Sequence, residues 1–435
     1  MLDLIIKNGS CFIEGDLKQQ DIGVENGKIV KIGKVTGDTR VTYDAKNLIV
    51  LPGCIDTQTH FREPGSTDTE DLHSGSRAAI VGGITAVFEM PNTNPPTSNK
   101  KEFQRKLDLA KNRMYCNYAF YFGATADNSD QLADLKKLDG CCGIKLFAGS
   151  STGNLLVAKE KDIEKVFQNS SKVVAVHSED EEILNKNKKL IKKGDVNSHP
   201  VWRSEECAIS STRRIVRIAE LYKKKAHILH VTTKQEVDFL SQHKGNITFE
   251  ITPQHLTIYA PDCYDKLGTY AQMNPPIRDK SHYDRLWYGV KNNLNDTIGS
   301  DHAPHLKVNK DKDYPNSPSG MPGVQTLMPV MLNHVNDKRL SLSQLINFVC
   351  ENPIKIFGIK NKGYIKEDYD ADFTIVDMNK KITIKNDNIE SKCGWSPFNG
   401  FEFKGSPVYT IVNGNIKFNN GRIIGEPEGL PLIFS

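Results

Sequence analysis

No stretch of this sequence reaches the ~18 consecutive apolar residues that a membrane-spanning helix needs. The first residues, MLDLIIKNGSCF, lack the basic start, the apolar segment and the cleavage motif of a secretory leader. Charge of one sign is not in excess either: 57 Lys and Arg face 53 Asp and Glu, a formal net charge of +4. A nucleic-acid binder concentrates positive charge, and here the two signs are intermixed. The densest basic runs, KNKKLIKK (186–193) and KKK (223–225), read as solvated helix faces. Low-complexity tracts and short internal repeats are missing. The nine cysteines are odd in number and show no C-x-x-C spacing, and the adjacent Cys141 and Cys142 are poorly placed to pair with each other. These absences leave a reduced, cytoplasmic protein with no membrane and no nucleic-acid partner.

What is present is a chain of 435 residues, 38% hydrophobic and 25% charged, too long for one ordinary compact domain. Its two ends share a texture. DLIIKNGSCFI, QDIGVENGKIVKIG and RVTYDAKNLIVLPG at the start alternate apolar with polar residues, as do ADFTIVDM, KITIKN and YTIVNGNIKFNNGRII near the end. Asn-Gly at 8–9 and at 26–27 signals hairpin turns. Residues 1–51 and 358–435 are therefore expected to build one small β-sandwich domain.

The middle, 52–357, alternates short apolar strands with amphipathic helices. ITAVFEM (84–90), CGIKLFAG (142–149), VVAVHSE (173–179), HILHVT (227–232), ITFEIT (247–252) and DTIGSDHAP (296–304) read as strands, and 203–223 and 341–350 as helices. Repeated β–α units imply a parallel sheet, and about 300 residues suit an eightfold β/α barrel. Polar residues fall at the strand ends where such barrels build active sites: Gln58, His60, Asn92, Lys145, His177, His230, His255, Asn274, Asp301, His302 and His305. Singly, each histidine also fits a hydrogen-bonded core residue. Jointly, His60, His177, His230 and Asp301 can converge on the barrel axis as a zinc-type donor set. Lys145 lies within the apolar run GIKLF. Either it pairs with a nearby carboxylate, or burial depresses its pKa and leaves a neutral amine able to add carbon dioxide. The resulting carbamate could bridge two metal ions.

GCIDTQTHFREPG, GGITAVFEMPNTNPP, GIKLFAGSSTG, VAVHSEDE, HILHVTT, ITPQHL, MNPPIRD and GSDHAPH, in this order, resemble the cyclic amidohydrolases, most closely the dihydroorotases. The resemblance spans essentially the whole chain. It implies a metal-dependent (β/α)8 barrel carrying a small β-sandwich, and a reversible closure of N-carbamoyl-L-aspartate to L-dihydroorotate in pyrimidine synthesis. By this resemblance Lys145 is the carboxylated bridging lysine, His177 and His230 ligate one zinc ion, and His60 and Asp301 ligate another. Asp301 also exchanges a proton with the ring nitrogen. Arg62, Asn92, Asn274 and His305 hold the substrate, and the backbone of SGMPGVQT (319–326) lines the pocket. A homodimer is implied as well.

Gln58 departs from the pattern, which places a histidine there, so one or two ions are expected, the second weakly held. Alternatively, Gln58 merely packs beside a single-metal centre. Allantoinases and hydantoinases are rivals for the reaction. Arg62 separates them, because dihydroorotate carries a carboxylate that a guanidinium can grip through two hydrogen bonds. A non-catalytic scaffold for aspartate carbamoyltransferase would explain Gln58, but not the retention of Lys145, His177, His230 and Asp301.

Overall fold

The computed structural model describes residues 1–151, 153 and 155–435. Thr152 and Asn154 of the Gly-rich stretch STGNLL lie outside the described residues. Eight strands follow one another in chain order: Cys54–Thr59, Ile84–Glu89, Asn117–Gly123, Cys141–Phe147, Val174–His177, Ala226–Ile228, Ile247–Ile251 and Thr297–Ile298. Each pairs in parallel with the next. A bridge between Thr59 and His302 brings the last strand back beside the first, with His60 N donating to His302 O at 2.7 Å. The strands read as apolar runs because both faces are covered. Alternate positions, among them Phe88, Ala119, Tyr121 and Ala175, pack together with Phe357, while Val87, Phe120, Ile144 and Val176 pack in the cluster that takes in the surrounding helices.

Asn117–Gly123, NYAFYFG, has no counterpart among the strand-like segments of the sequence analysis. Its seven residues are all buried, so the period-two alternation that marks a strand is missing. The expected helix 203–223 spans Glu205–Leu221 and is capped by Ser204, whose hydroxyl accepts from Cys207 N at 3.3 Å. The one expected at 341–350 is a short helix, Leu342–Ile346, that continues as a π turn over Asn347–Glu351.

Both termini build a second, nine-stranded mixed sheet with its own apolar core around Ile6, Ile22, Val50, Phe373 and Ile411. Its two halves join where Ile49–Pro52 pairs antiparallel with Phe373–Thr383. Asn26-Gly27 is the expected hairpin turn, with φ of 51° and 72° between the strands Asp16–Glu25 and Lys28–Gly33. Asn8-Gly9 is not a turn. It forms a bulge inside the strand Leu2–Ile13, and the chain reverses later, at Glu14-Gly15. A segment of this terminal unit also reaches the barrel: Trp395 Nε1 donates to His305 O at 2.7 Å.

Candidate metal centre and substrate pocket

One cavity is lined by His60, Arg62, Asn92, Lys145, His177, His230, Asn274 and Asp301 together with Gln58. Residues from at least six strand ends thus converge on one space. His305 lies behind Arg62, 3.4 Å from its Nη2, and donates from Nε2 to Ser319 O at 3.0 Å. The loop 319–326 contributes Ser319 and Gly320 to the wall. A Cβ at Gly320, where φ is 142°, would collide with Ala303 O and the His305 ring. His255 and His302 are core residues instead. His255 bonds Thr252 Oγ1 at 2.8 Å, and His302 lies 3.3 Å from the buried Glu70.

The donors form two pairs. His177 Nε2 is fixed by Glu179 Oε2 at 2.8 Å, so its Nδ1 carries the lone pair and faces His230 Nε2 at 3.1 Å. Two zinc–nitrogen bonds at a tetrahedral angle would put such nitrogens about 3.3 Å apart. The other ring nitrogen, His230 Nδ1, is buried without a hydrogen bond. In the second pair, His60 Nδ1 bonds Asn92 Oδ1 at 2.8 Å, which turns the lone pair of Nε2 toward Asp301 Oδ1, 3.3 Å away. A lone pair facing a carboxylate oxygen calls for a cation or a proton between them. Among the described residues no three His, Cys, Asp or Glu side chains cluster to hold an ion.

Lys145 is buried, and among the described residues no carboxylate forms an ion pair with it; its Nζ lies 4.6 Å from the Phe147 ring centroid. Burial drives its pKa down, against the pull of Asp301 and Glu250. Burial pushes the Asp301 carboxyl up, opposed by Lys145 and His177. Burial likewise lowers His60, His177 and His230, which keeps them as neutral imidazoles, the form that binds metal. Arg62, His230 and Asp301 adopt left-handed φ values of 62°, 39° and 45°, a conformation held only where the surroundings impose it.

Arg62 is positioned by its neighbours. Its Nε and Nη2 donate to Pro304 O at 3.3 and 3.1 Å. The preceding loop is pinned by Glu89, which accepts from Phe61 N and is ion-paired to the buried Lys106, and by Glu63, paired to Arg113 at 2.8 Å.

Comparison with known proteins identifies the family and the fold. The Amidohydrolase family matches residues 49–417. The chain belongs to that family. A dihydroorotase of Methanosarcina acetivorans is 36% identical, covering 98% of this chain and 94% of that protein. A dihydroorotase of Pyrococcus furiosus is 34% identical, covering 98% and 95%. Among solved structures, the L-hydantoinase (dihydropyrimidinase) from Arthrobacter aurescens superposes with a TM-score of 0.95 at 29% identity, covering 99% of this chain and 100% of that one. The amidohydrolase fold of barrel plus terminal sheet is thus common to relatives with two different named activities.

Sequence reasoning passed over three residues around this amidohydrolase cavity. Glu179 fixes His177; His199 bonds Asn274; Lys310 Nζ donates to the carbonyls of Gln272, Pro318 and Gly320 at 3.2, 2.8 and 3.2 Å. Gln58 is placed where expected, facing the cavity. Its Nε2 donates to Asp301 Oδ1 at 2.8 Å, and its Oε1 is buried without a partner.

Proposed function

We propose that this chain is a dihydroorotase, interconverting N-carbamoyl-L-aspartate and L-dihydroorotate. The observation that carries the reading is Arg62, a cation in the wall of the same cavity as the metal-donor pairs. Its Nε and Nη2 share a single carbonyl oxygen, Pro304 O, and among the described residues no carboxylate forms an ion pair with it, so a substrate carboxylate would supply the missing counter-charge. The dihydroorotase relatives support the same reading.

In this reading Lys145 is carboxylated, and with His177 and His230 it holds a divalent ion such as zinc. His60 and Asp301 hold a second, more weakly. When bound, the ions supply Lewis acidity toward the amide carbonyl and toward water. The chain supplies the rest. Arg62, Asn92 and Asn274 orient the substrate, with His305 beside Arg62. Asp301, whose carboxyl is pushed up by burial, carries a proton to the ring nitrogen as the ring opens and takes it back as the ring closes. Phe147, Ser319 and Gly320 complete the cavity wall.

The structural likeness to L-hydantoinase favours a second reading, the opening of a neutral hydantoin ring. Steady-state turnover of dihydroorotate and of hydantoin on metal-loaded protein decides between them. Dihydroorotate should be the better substrate by kcat/KM. A preference for hydantoin would overturn the proposal.

A further inference from the structure

We propose that His199, which no motif singles out, is a positioning residue that fixes which end of the Asn274 side chain faces the substrate. The inference rests on the dihydroorotase reading and adds a specificity element to it. His199 opens the short helix His199–Trp202, and Asn274 sits in a loop 75 residues further along.

The argument starts at the far end of a chain of hydrogen bonds. Trp202 Nε1 can only donate, and it donates to Tyr314 Oη at 2.7 Å. Tyr314 Oη is therefore an acceptor there, and its own proton is free for His199 Nδ1, 3.3 Å away. The other ring nitrogen settles the tautomer independently. His199 Nε2 lies 3.0 Å from Met273 O, a main-chain carbonyl that can only accept. So Nε2 carries the hydrogen and Nδ1 the lone pair. Burial, with the Arg203 charge nearby, holds the ring neutral, its pKa lowered to about 3.

The same Nε2–H also faces the Asn274 side chain at 3.0 Å. A donor there admits only the amide oxygen, because the NH2 group would set donor against donor. The amide orientation thus follows from a fixed backbone carbonyl, not from the side chain's own shape. Asn274 lines the cavity, and its Nδ2 has no partner among the described residues. The group offered to the substrate is therefore a hydrogen-bond donor, suited to a carboxylate or carbonyl oxygen and unsuited to a ring N–H. Tyr314 and Trp202 act through His199, one step further out.

The test is a double-mutant cycle on metal-loaded protein, with dihydroorotate as substrate and thermal midpoints as a folding control. His199→Phe removes the donor, and His199→Gln keeps an N–H that can reach the same oxygens. His199→Phe is expected to raise KM about tenfold, the value of one substrate hydrogen bond, with kcat changed far less. His199→Gln should recover part of that loss. In an Asn274→Ala background, His199→Phe should have no further effect on KM. Equal KM effects of His199→Phe in both backgrounds, or an unchanged KM in the single variant, would overturn the inference. Should His199→Phe fail to fold, the same cycle run with His199→Gln and Tyr314→Phe decides, and additivity with Asn274→Ala again refutes it. Wild-type protein that neither binds nor turns over dihydroorotate would instead sink the functional reading, and this inference with it.

Discussion

Replacing Gln58 by histidine should create a second tight metal site. The reasoning rests on one oxygen. Asp301 Oδ1 accepts from Gln58 Nε2 at 2.8 Å and lies 3.3 Å from His60 Nε2, so an ion held by His60 and Asp301 competes with the Gln58 amide for it. A hydrogen bond to a charged acceptor contributes ~1.5–3 kcal/mol, which corresponds to a ~10- to 150-fold weaker ion. Among the described residues no side-chain amide donates to His177 Nδ1 or His230 Nε2, which face each other at 3.1 Å, so that pair has no such competitor. Wild-type apoprotein titrated with zinc against a chromophoric chelator should therefore show one tight and one weaker site per chain. In Gln58→His the imidazole gives a lone pair in place of an N–H, and the weaker site should tighten by at least tenfold. Elemental analysis of protein purified without added metal should give close to one ion per chain for the wild type and more for the variant. Two equally tight sites in the wild type, or an unchanged weak site in Gln58→His, would refute the reasoning.

Lys145→Ala should lose the tight ion and turnover together, with partial recovery on adding a short carboxylate. Full activity without that addition would show that no carbamate is needed. Arg62→Met should lower kcat/KM for dihydroorotate by ~30- to 1,000-fold, the value of ~2–4 kcal/mol of charged hydrogen bonding, while metal content stays the same. An unchanged kcat/KM would return the case to the hydantoin reading. Glu179 gives a pH prediction. Burial raises its carboxyl, but Arg203 and His177 outweigh that and hold it down to about 2. Because the folded value lies below the unfolded one, the stabilisation is full above pH ~4.5 and is lost as pH falls toward ~2, about 3 kcal/mol in all. Acid unfolding followed by circular dichroism should show this limb, and Glu179→Gln should flatten it; an identical limb in the variant would count against the assignment.

The β/α barrel and the polar residues that line its cavity were legible because those residues close short apolar runs, as in GIKLF and VAVHSE. Where that coupling fails, so does the reading. NYAFYFG is a barrel strand without a chemical residue to mark it and without alternation. Asn8-Gly9 offers the dipeptide of a hairpin, yet the flanking residues keep pairing with Asp16–Glu25 across a bulge, and a dipeptide cannot report that partner. The sequence located Gln58 but could not say what it does, because its bonded partner, Asp301, is 243 residues away.

The same distance rule separates the two kinds of residue in this pocket. Most polar groups on the cavity wall project from strand ends, so their place along the chain follows from the barrel's repeat, whereas Asn274 comes from a loop. A group that orients another can come from any loop that packs nearby. Glu179 lies two residues from His177 and is fixed by the same strand end, whereas His199 reaches Asn274 across 75 residues and Trp395 reaches His305 across 90. Lys310 gathers the carbonyls of Gln272, Pro318 and Gly320 and does not line the cavity. Differences in substrate choice among proteins sharing this barrel are therefore to be sought in these loop contacts as well as in the donor set. Swapping strand-end residues alone should transfer metal binding between such proteins more readily than it transfers the preference for an anionic ring.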